Sequence, residues 1–198
     1  MNAMYFVLPV LLRFLYGTGL RISEALALIN RNVNLVENYI VLRDCKNGKE
    51  RMLPISESLS KVCREYVYYR NQLPIKNKSE NDCFFVSLNG SACTRDTIYR
   101  WFREILEMAN IPFKGKQRGT RVHDLRHTFS VHSLAMMAES GVDLYCSLPI
   151  LSTYLGHQSL NSTNAYVRLT SEMYPELLKD IDVICLNVFP NLDSHEAN

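Results

Sequence analysis

Four short strings of this sequence carry side chains able to do chemistry together. Arg21 closes Tyr16-Gly-Thr-Gly-Leu-Arg21, directly past a glycine bend. His123 and Arg126 stand in His123-Asp-Leu-Arg126-His-Thr-Phe, and His157 ends Leu155-Gly-His157, nine residues before Tyr166. Lys46 and Lys49 flank Asn47-Gly48. The planar fork of an arginine bonds two oxygens of one anion and stays charged at any working pH. Imidazole titrates near neutrality and both accepts and gives hydrogen bonds, which suits proton handling. His123 and His127 are four residues apart, as in a metal-binding pair, but position 124 is aspartate and the glutamate of a zinc-type H-E-x-x-H site is missing. His127 is therefore read as a packed or supporting histidine, His132 as structural, and no metal ligand set is expected.

The charge is unevenly placed. Residues 171–198 hold one base, Lys179, against six acids, which leaves residues 1–170 with 21 bases against 14 acids, a net charge of +7. Two knots stand out: Arg43, Lys46, Lys49 and Arg51, then Lys114, Lys116, Arg118, Arg121 and Arg126. Clustered bases beside an acidic tail fit a protein that holds a polyanion on one surface.

The elements that must position these groups follow from apolar spacing. Leu8, Leu11, Leu12 and Leu15 predict a helix that ends at Tyr16–Gly19, where glycine can take the left-handed turn. A second helix starts near Arg21, with Ile22, Ala25, Leu26 and Ile29 as its buried stripe. Residues 38–44 and 50–55 read as a hairpin around the Asn-Gly turn, with Pro54 marking an edge strand. Ser56 caps a helix through Leu59, Val62, Cys63, Tyr66 and Val67; Leu73–Asp82 is a loop; Cys83–Ser87 is a short strand that could join the hairpin. A long amphipathic helix runs from Thr94 through Ile98, Trp101, Phe102, Ile105, Leu106 and Ala109, stopped by Pro112 and Gly115. A basic loop, 114–121, leads into a helix from about His123 to Glu139, closed by Gly141, and short helices fall near 148–155, 162–169 and 172–187.

With 47% hydrophobic residues in 198, the chain can bury a core of one domain. Arg13 interrupts the apolar first twenty residues, and neither a basic leader region nor a cleavage site precedes it, so no signal peptide and no membrane span is expected. The six cysteines are scattered without a C-x-x-C pair and are read as free thiols in a reducing compartment, the cytoplasm.

The glycine–arginine string, the H-x-x-R string and the Leu-Gly-His…Tyr string, in that order and with the lysine hairpin between the first two, resemble the signatures of the tyrosine recombinases of phage-integrase type. The resemblance covers residues 5–187. It implies a mainly α catalytic domain with a small antiparallel β-sheet, the DNA breaking-rejoining enzyme fold. It implies that Arg21 and Arg126 clamp a DNA phosphate, that His123 assists as general base and that His157 donates to the phosphate. Tyr166 would be the nucleophile, joined to the 3′ phosphate; ionising a tyrosine at pH 7 costs about 4 kcal/mol, which nearby cations must supply. A hairpin lysine would protonate the leaving 5′ oxygen. Lys46 is preferred to Lys49, although Cys45 and Asn47 stand where the family pattern often has glycine. The stretch from Gly141 to Leu155, with Pro149, is also longer than the pattern suggests.

No metal, nucleotide or other cofactor is implied, because the phosphotyrosine bond conserves the energy of the broken linkage. The implied partners are double-stranded DNA and other recombinase subunits, four in the synapse. Residues 1–3 are read as a cloning remnant, 4–170 as the catalytic domain, and 171–198 as an acidic helix of the kind relatives exchange between subunits; a DNA-clamping N-terminal domain is not in this sequence. Arg43, Lys49, Arg51, Lys114, Lys116, Arg118 and Arg121 are candidate DNA contacts. The competing readings are a type IB topoisomerase, which shares the phosphate chemistry, and a non-catalytic DNA-binding module.

Overall fold

The computed structural model describes residues 3–43, 50–74, 79–115, 119–157, 166, 169, 170 and 174. Lys46, Lys49 and the Asn-Gly turn, Lys116 and Arg118, Cys45 and Cys185, and nearly all of the acidic tail lie outside the described residues. The chain divides into two compact units, Met1–Phe129 with Tyr154–Gly156, and Ser130–Thr153 with His157–Asn198.

The first unit is built on helix α1, Ala3–Thr18. Of its expected stripe, Leu8, Leu11 and Leu15 are fully buried with Met4, Val7 and Phe14, and Leu12 is partly buried against the same core. Thr18 donates to the Phe14 carbonyl at 2.6 Å, and Gly19, at φ +62°, turns the chain out of the helix. Helix α2, Ile22–Leu26, is shorter than its apolar pattern predicts. It stops at Leu26, so Leu28 is the residue buried next, while Ile29 bridges to Cys83.

A three-stranded antiparallel sheet follows a single 3-10 turn, in the order β1 (Val33–Asn34), β2 (Tyr39–Leu42), β3 (Arg51–Pro54). Pro54 sits in edge strand β3, where its missing N–H costs no ladder bond. Ile40, Leu42 and Leu53 face the core, and Met52 faces solvent. The third strand is not Cys83–Ser87, as the sequence suggests, but Val33–Asn34. Phe84, Phe85 and Val86 are consecutively buried rather than alternately, so this segment threads the core and contributes only the bridges Ile29–Cys83 and Val86–Ala92.

Helix α3 spans Glu57–Gln72 with Ser56 capping through the Leu59 N–H, and α4 spans Arg95–Met108 with Thr94 capping through the Thr97 N–H. Tyr66 packs among Phe6, Phe84 and Phe85, and its hydroxyl donates to the Val86 carbonyl and accepts from the Val86 N–H. Pro112 and Gly115 are not what ends α4. Asn110 does, at φ +57°, with the Ile111 N–H bonded back to the Leu106 carbonyl at 2.8 Å. Cys63 and Cys93 are buried among apolar side chains, which pushes their thiols up to about 12 and about 11. Cys83 and Cys146 are likewise free.

The second unit takes most of α5 (Asp124–Glu139) and α6 (Leu144–Leu155). Val131, Leu134, Ala135 and Leu151 are buried in it. Gly141, at φ +79°, closes α5 as expected, with the Val142 N–H bonded to the Met137 carbonyl. Helix α6 starts earlier than the sequence suggests because Asp143 caps it through the Cys146 N–H, and Pro149 is held inside the helix. Tyr166, Leu169 and Thr170 are helical. Among the described residues, no helix is long and apolar enough to cross a membrane.

Candidate active site

In the first unit three arginines from three parts of the sequence meet one carboxylate. Arg21 is the N-cap of α2, and its backbone N–H donates to Oε2 of Glu24 at 2.9 Å. Its side chain, 38% exposed, donates through Nη1 to Oε1 of the same residue at 3.0 Å. Arg51, at the start of β3, reaches Oε1 of Glu24 through Nη2 at 2.8 Å. Arg126 brings Nη1 to 3.9 Å from Oε2. Glu24 was not among the residues singled out from the sequence. The available signal was its place three residues past Arg21, where a helix N-terminus favours a carboxylate reaching back to the cap.

Arg126 also fixes backbone. It lies in the first turn of α5, its side chain 2% exposed, and donates through Nη1 to the Gly19 carbonyl at 2.7 Å and through Nη2 to the Leu155 carbonyl at 2.9 Å. Those carbonyls lie at the C-terminal ends of α1 and α6, where helix dipoles favour a cation. One guanidinium therefore ties the glycine bend that precedes Arg21 to the Leu-Gly turn that precedes His157.

The two glycines of those turns have steric as well as conformational reasons. Gly19 and Gly156 are left-handed, at φ +62° and +65°. A Cβ on Gly19 would run into the Phe129 ring, and one on Gly156 into the Arg51 guanidinium. Arg51 was expected among the DNA-facing bases; its side chain is 11% exposed, and its Nη1 donates to the Tyr154 carbonyl at 3.3 Å.

His123 sits just before α5, its ring edge-on to that of His127 with centroids 4.9 Å apart, so that one face of the imidazole is covered while the residue keeps access to solvent. Partial burial, then His127, Arg126 and Arg121, hold its imidazole below the ordinary value, against the opposing pull of Asp124. Burial lowers His127 as well. A histidine kept neutral this way at pH 7 can accept a proton. Arg121 is exposed and forks onto Asp124 at 2.9 and 3.1 Å, while Arg43 and Lys114 are exposed. Among the described residues, no three or more His, Cys, Asp or Glu side chains are gathered as a metal would require.

In the second unit, the imidazole of His157 and the phenol of Tyr166 are stacked, with centroids 5.9 Å apart and planes 17° from parallel. Tyr166 is buried, 4% exposed. The His157 N–H closes the end of α6 on the Ser152 carbonyl at 3.0 Å. His132 lies edge-on to Tyr174, in keeping with a packing role.

Residues 2–173 match the phage integrase family. The putative integrase/recombinase y4rB of Sinorhizobium fredii is 30% identical over 165 residues, covering 83% of this chain and 52% of that protein. Tyrosine recombinase XerA of Pyrococcus furiosus is 29% identical over 175 residues, 86% of this chain and 53% of that protein. Among solved structures, the XerH site-specific recombinase bound to palindromic difH substrate, in a post-cleavage complex, superposes with a TM-score of 0.65 at 25% identity, covering 89% of this chain and 46% of that one. The chain spans about half the length of the curated relatives it matches.

Proposed function

This chain belongs to the phage integrase family, and on that premise we propose that it cuts and rejoins double-stranded DNA at specific sites by transesterification through Tyr166. The Tyr166 oxygen attacks the scissile phosphorus, a 3′-phosphotyrosine forms, and the 5′ oxygen leaves with a proton from Lys46. A 5′ hydroxyl of another strand then reverses the step and releases the tyrosine. Arg21 and Arg126 bind the non-bridging oxygens, on which charge gathers as the attacking oxygen arrives. His123, held neutral, takes the phenolic proton, and His157 donates to the phosphate. Arg43, Lys49, Lys114, Lys116, Arg118 and Arg121 bind flanking phosphates. The partners are DNA and, in a four-subunit synapse, further copies of the recombinase.

The observation that carries this reading is the convergence of Arg21 and Arg126 on Glu24. Two permanently charged forks from separate motifs turn toward one carboxylate, at 3.0 and 3.9 Å, and so stand within reach of one phosphate. The test is covalent capture. The intact recombinase is incubated with nicked suicide duplexes whose arms are randomised, and protein–DNA adducts are sought on a denaturing gel. The wild-type protein should give an adduct and Tyr166→Phe none; absence of adduct from the wild type would reject the reading.

A further inference from the structure

Arg51 stands apart from the other bases of its knot. Its side chain is 11% exposed, Nη2 is held by Glu24 at 2.8 Å and Nη1 by the Tyr154 carbonyl at 3.3 Å. The Arg51 side chain is turned into the fold, and its charge sits on the carboxylate that Arg21 and Arg126 also face. The glycine at 156 supplies an independent sign of what the site needs: any side chain there would displace the Arg51 guanidinium.

We propose that Arg51 is a positioning residue for the phosphate clamp, acting through Glu24. This rests on the proposed strand-cleavage function. A carboxylate flanked only by Arg21 and Arg126 would bind both forks and compete with the phosphate for them. Arg51 takes up part of that negative charge and pins Oε1 from the β3 side. Nη1 of Arg126, bonded to the Gly19 carbonyl, then stands 3.9 Å from Oε2, beyond hydrogen-bond range of the carboxylate. Its second hold, on the Tyr154 carbonyl, fixes the same guanidinium to the last turn of α6, whose Leu155 carbonyl Arg126 grips. Arg51 thus sets where the clamp's counter-charge lies relative to the backbone that anchors Arg126.

A positioning role is separable from simple stabilisation by changing the charge of the scissile phosphate. A methylphosphonate linkage replaces one anionic oxygen with methyl, so far less charge needs clamping there. Single-turnover adduct formation is measured for the intact recombinase on phosphate and methylphosphonate suicide duplexes, with wild type, Arg51→Gln, Arg51→Lys and Gly156→Ala. Arg51→Gln should be slower by about 30-fold on phosphate but within about 3-fold of wild type on methylphosphonate. Arg51→Lys, which keeps the charge and guards against a folding failure in the glutamine variant, should show the same dependence in milder form. Gly156→Ala leaves every charged residue in place and should follow Arg51→Gln on phosphate; combined with Arg51→Gln it should add little, since both displace the same group. Equal defects on both linkages, or no defect for any Arg51 variant, would overturn the proposal while leaving the cleavage reading intact. A wild-type protein that forms no adduct on phosphate would overturn both.

Discussion

The Arg51 guanidinium fills the space that a Cβ on residue 156 would need, and Gly156 is itself left-handed at φ +65°. Gly141 offers the natural control, since it is also left-handed, at φ +79°, but has nothing within 4 Å of a would-be Cβ. Gly141→Ala should therefore cost only backbone strain, about 1–2 kcal/mol. Gly156→Ala adds the displacement of a largely buried charged group, and Gly19→Ala adds a collision with the Phe129 ring. Urea denaturation of the three variants should rank Gly141→Ala as the mildest. Equal midpoints for Gly141→Ala and Gly156→Ala would mean that Arg51 moves aside at no cost.

Arg21 and Arg126 share a proposed task but differ in what else they hold. Arg126 is buried and satisfies two backbone carbonyls, so Arg126→Ala should lower stability by about 2–4 kcal/mol, the unpaired groups costing about 1–3 kcal/mol each less what water recovers. The Arg21 side chain is 38% exposed, and the cap of α2 comes from its backbone N–H, so Arg21→Ala should stay within about 0.5 kcal/mol of wild type. Both should lose adduct formation. Thermal melts beside single-turnover assays separate the two; matching stability losses would contradict this division.

The chemical strings were legible because each carries its own local constraint. A glycine bend before Arg21 and a glycine turn before His157 are visible in sequence, as is the capping serine of α3. The true setting of Arg51 is not, since its pairing with Glu24 joins positions 27 residues apart through side chains alone. The third strand was misplaced for a similar reason. Period-two alternation finds a half-exposed strand, whereas Phe84–Val86 is buried throughout and reads the same whether it pairs or merely threads the core. At the end of α4 the sequence offers Pro112 and Gly115 as stops, but Asn110 takes the left-handed position.

The lowered His123 imidazole gives a pH prediction of definite sign. Its folded value lies below the ordinary 6.5 that an unfolded chain would show, so as pH falls the unfolded state takes up the proton first. The stability it contributes is present above 6.5 and is lost as pH drops toward the folded value; His127 shifts the same way and reinforces the loss. If neutral His123 is the base, the acid limb of adduct formation should have its midpoint below 6.5. The pH profile of wild type against His123→Gln decides it: the variant should lose that limb along with most of its rate. A limb unchanged in the variant would assign the proton to another group.

The last prediction concerns the two hairpin lysines and rests on the leaving group. Replacing the bridging 5′ oxygen of the scissile phosphate by sulfur makes a thiolate depart, and a thiol is far more acidic than an alcohol, so departure needs almost no proton. Lys46→Ala should be slow on the oxygen substrate and restored on sulfur. Arg126→Ala should stay impaired on both, because charge still gathers on the non-bridging oxygens with nothing to clamp it. Tyr166→Phe should be inert on both, having no nucleophile. Single-turnover adduct formation by the intact recombinase on the paired substrates reads all three. Rescue of Lys49→Ala in place of Lys46→Ala would move the general acid three residues along the hairpin. Rescue of neither would take both lysines out of proton transfer and leave them as phosphate-binding charges.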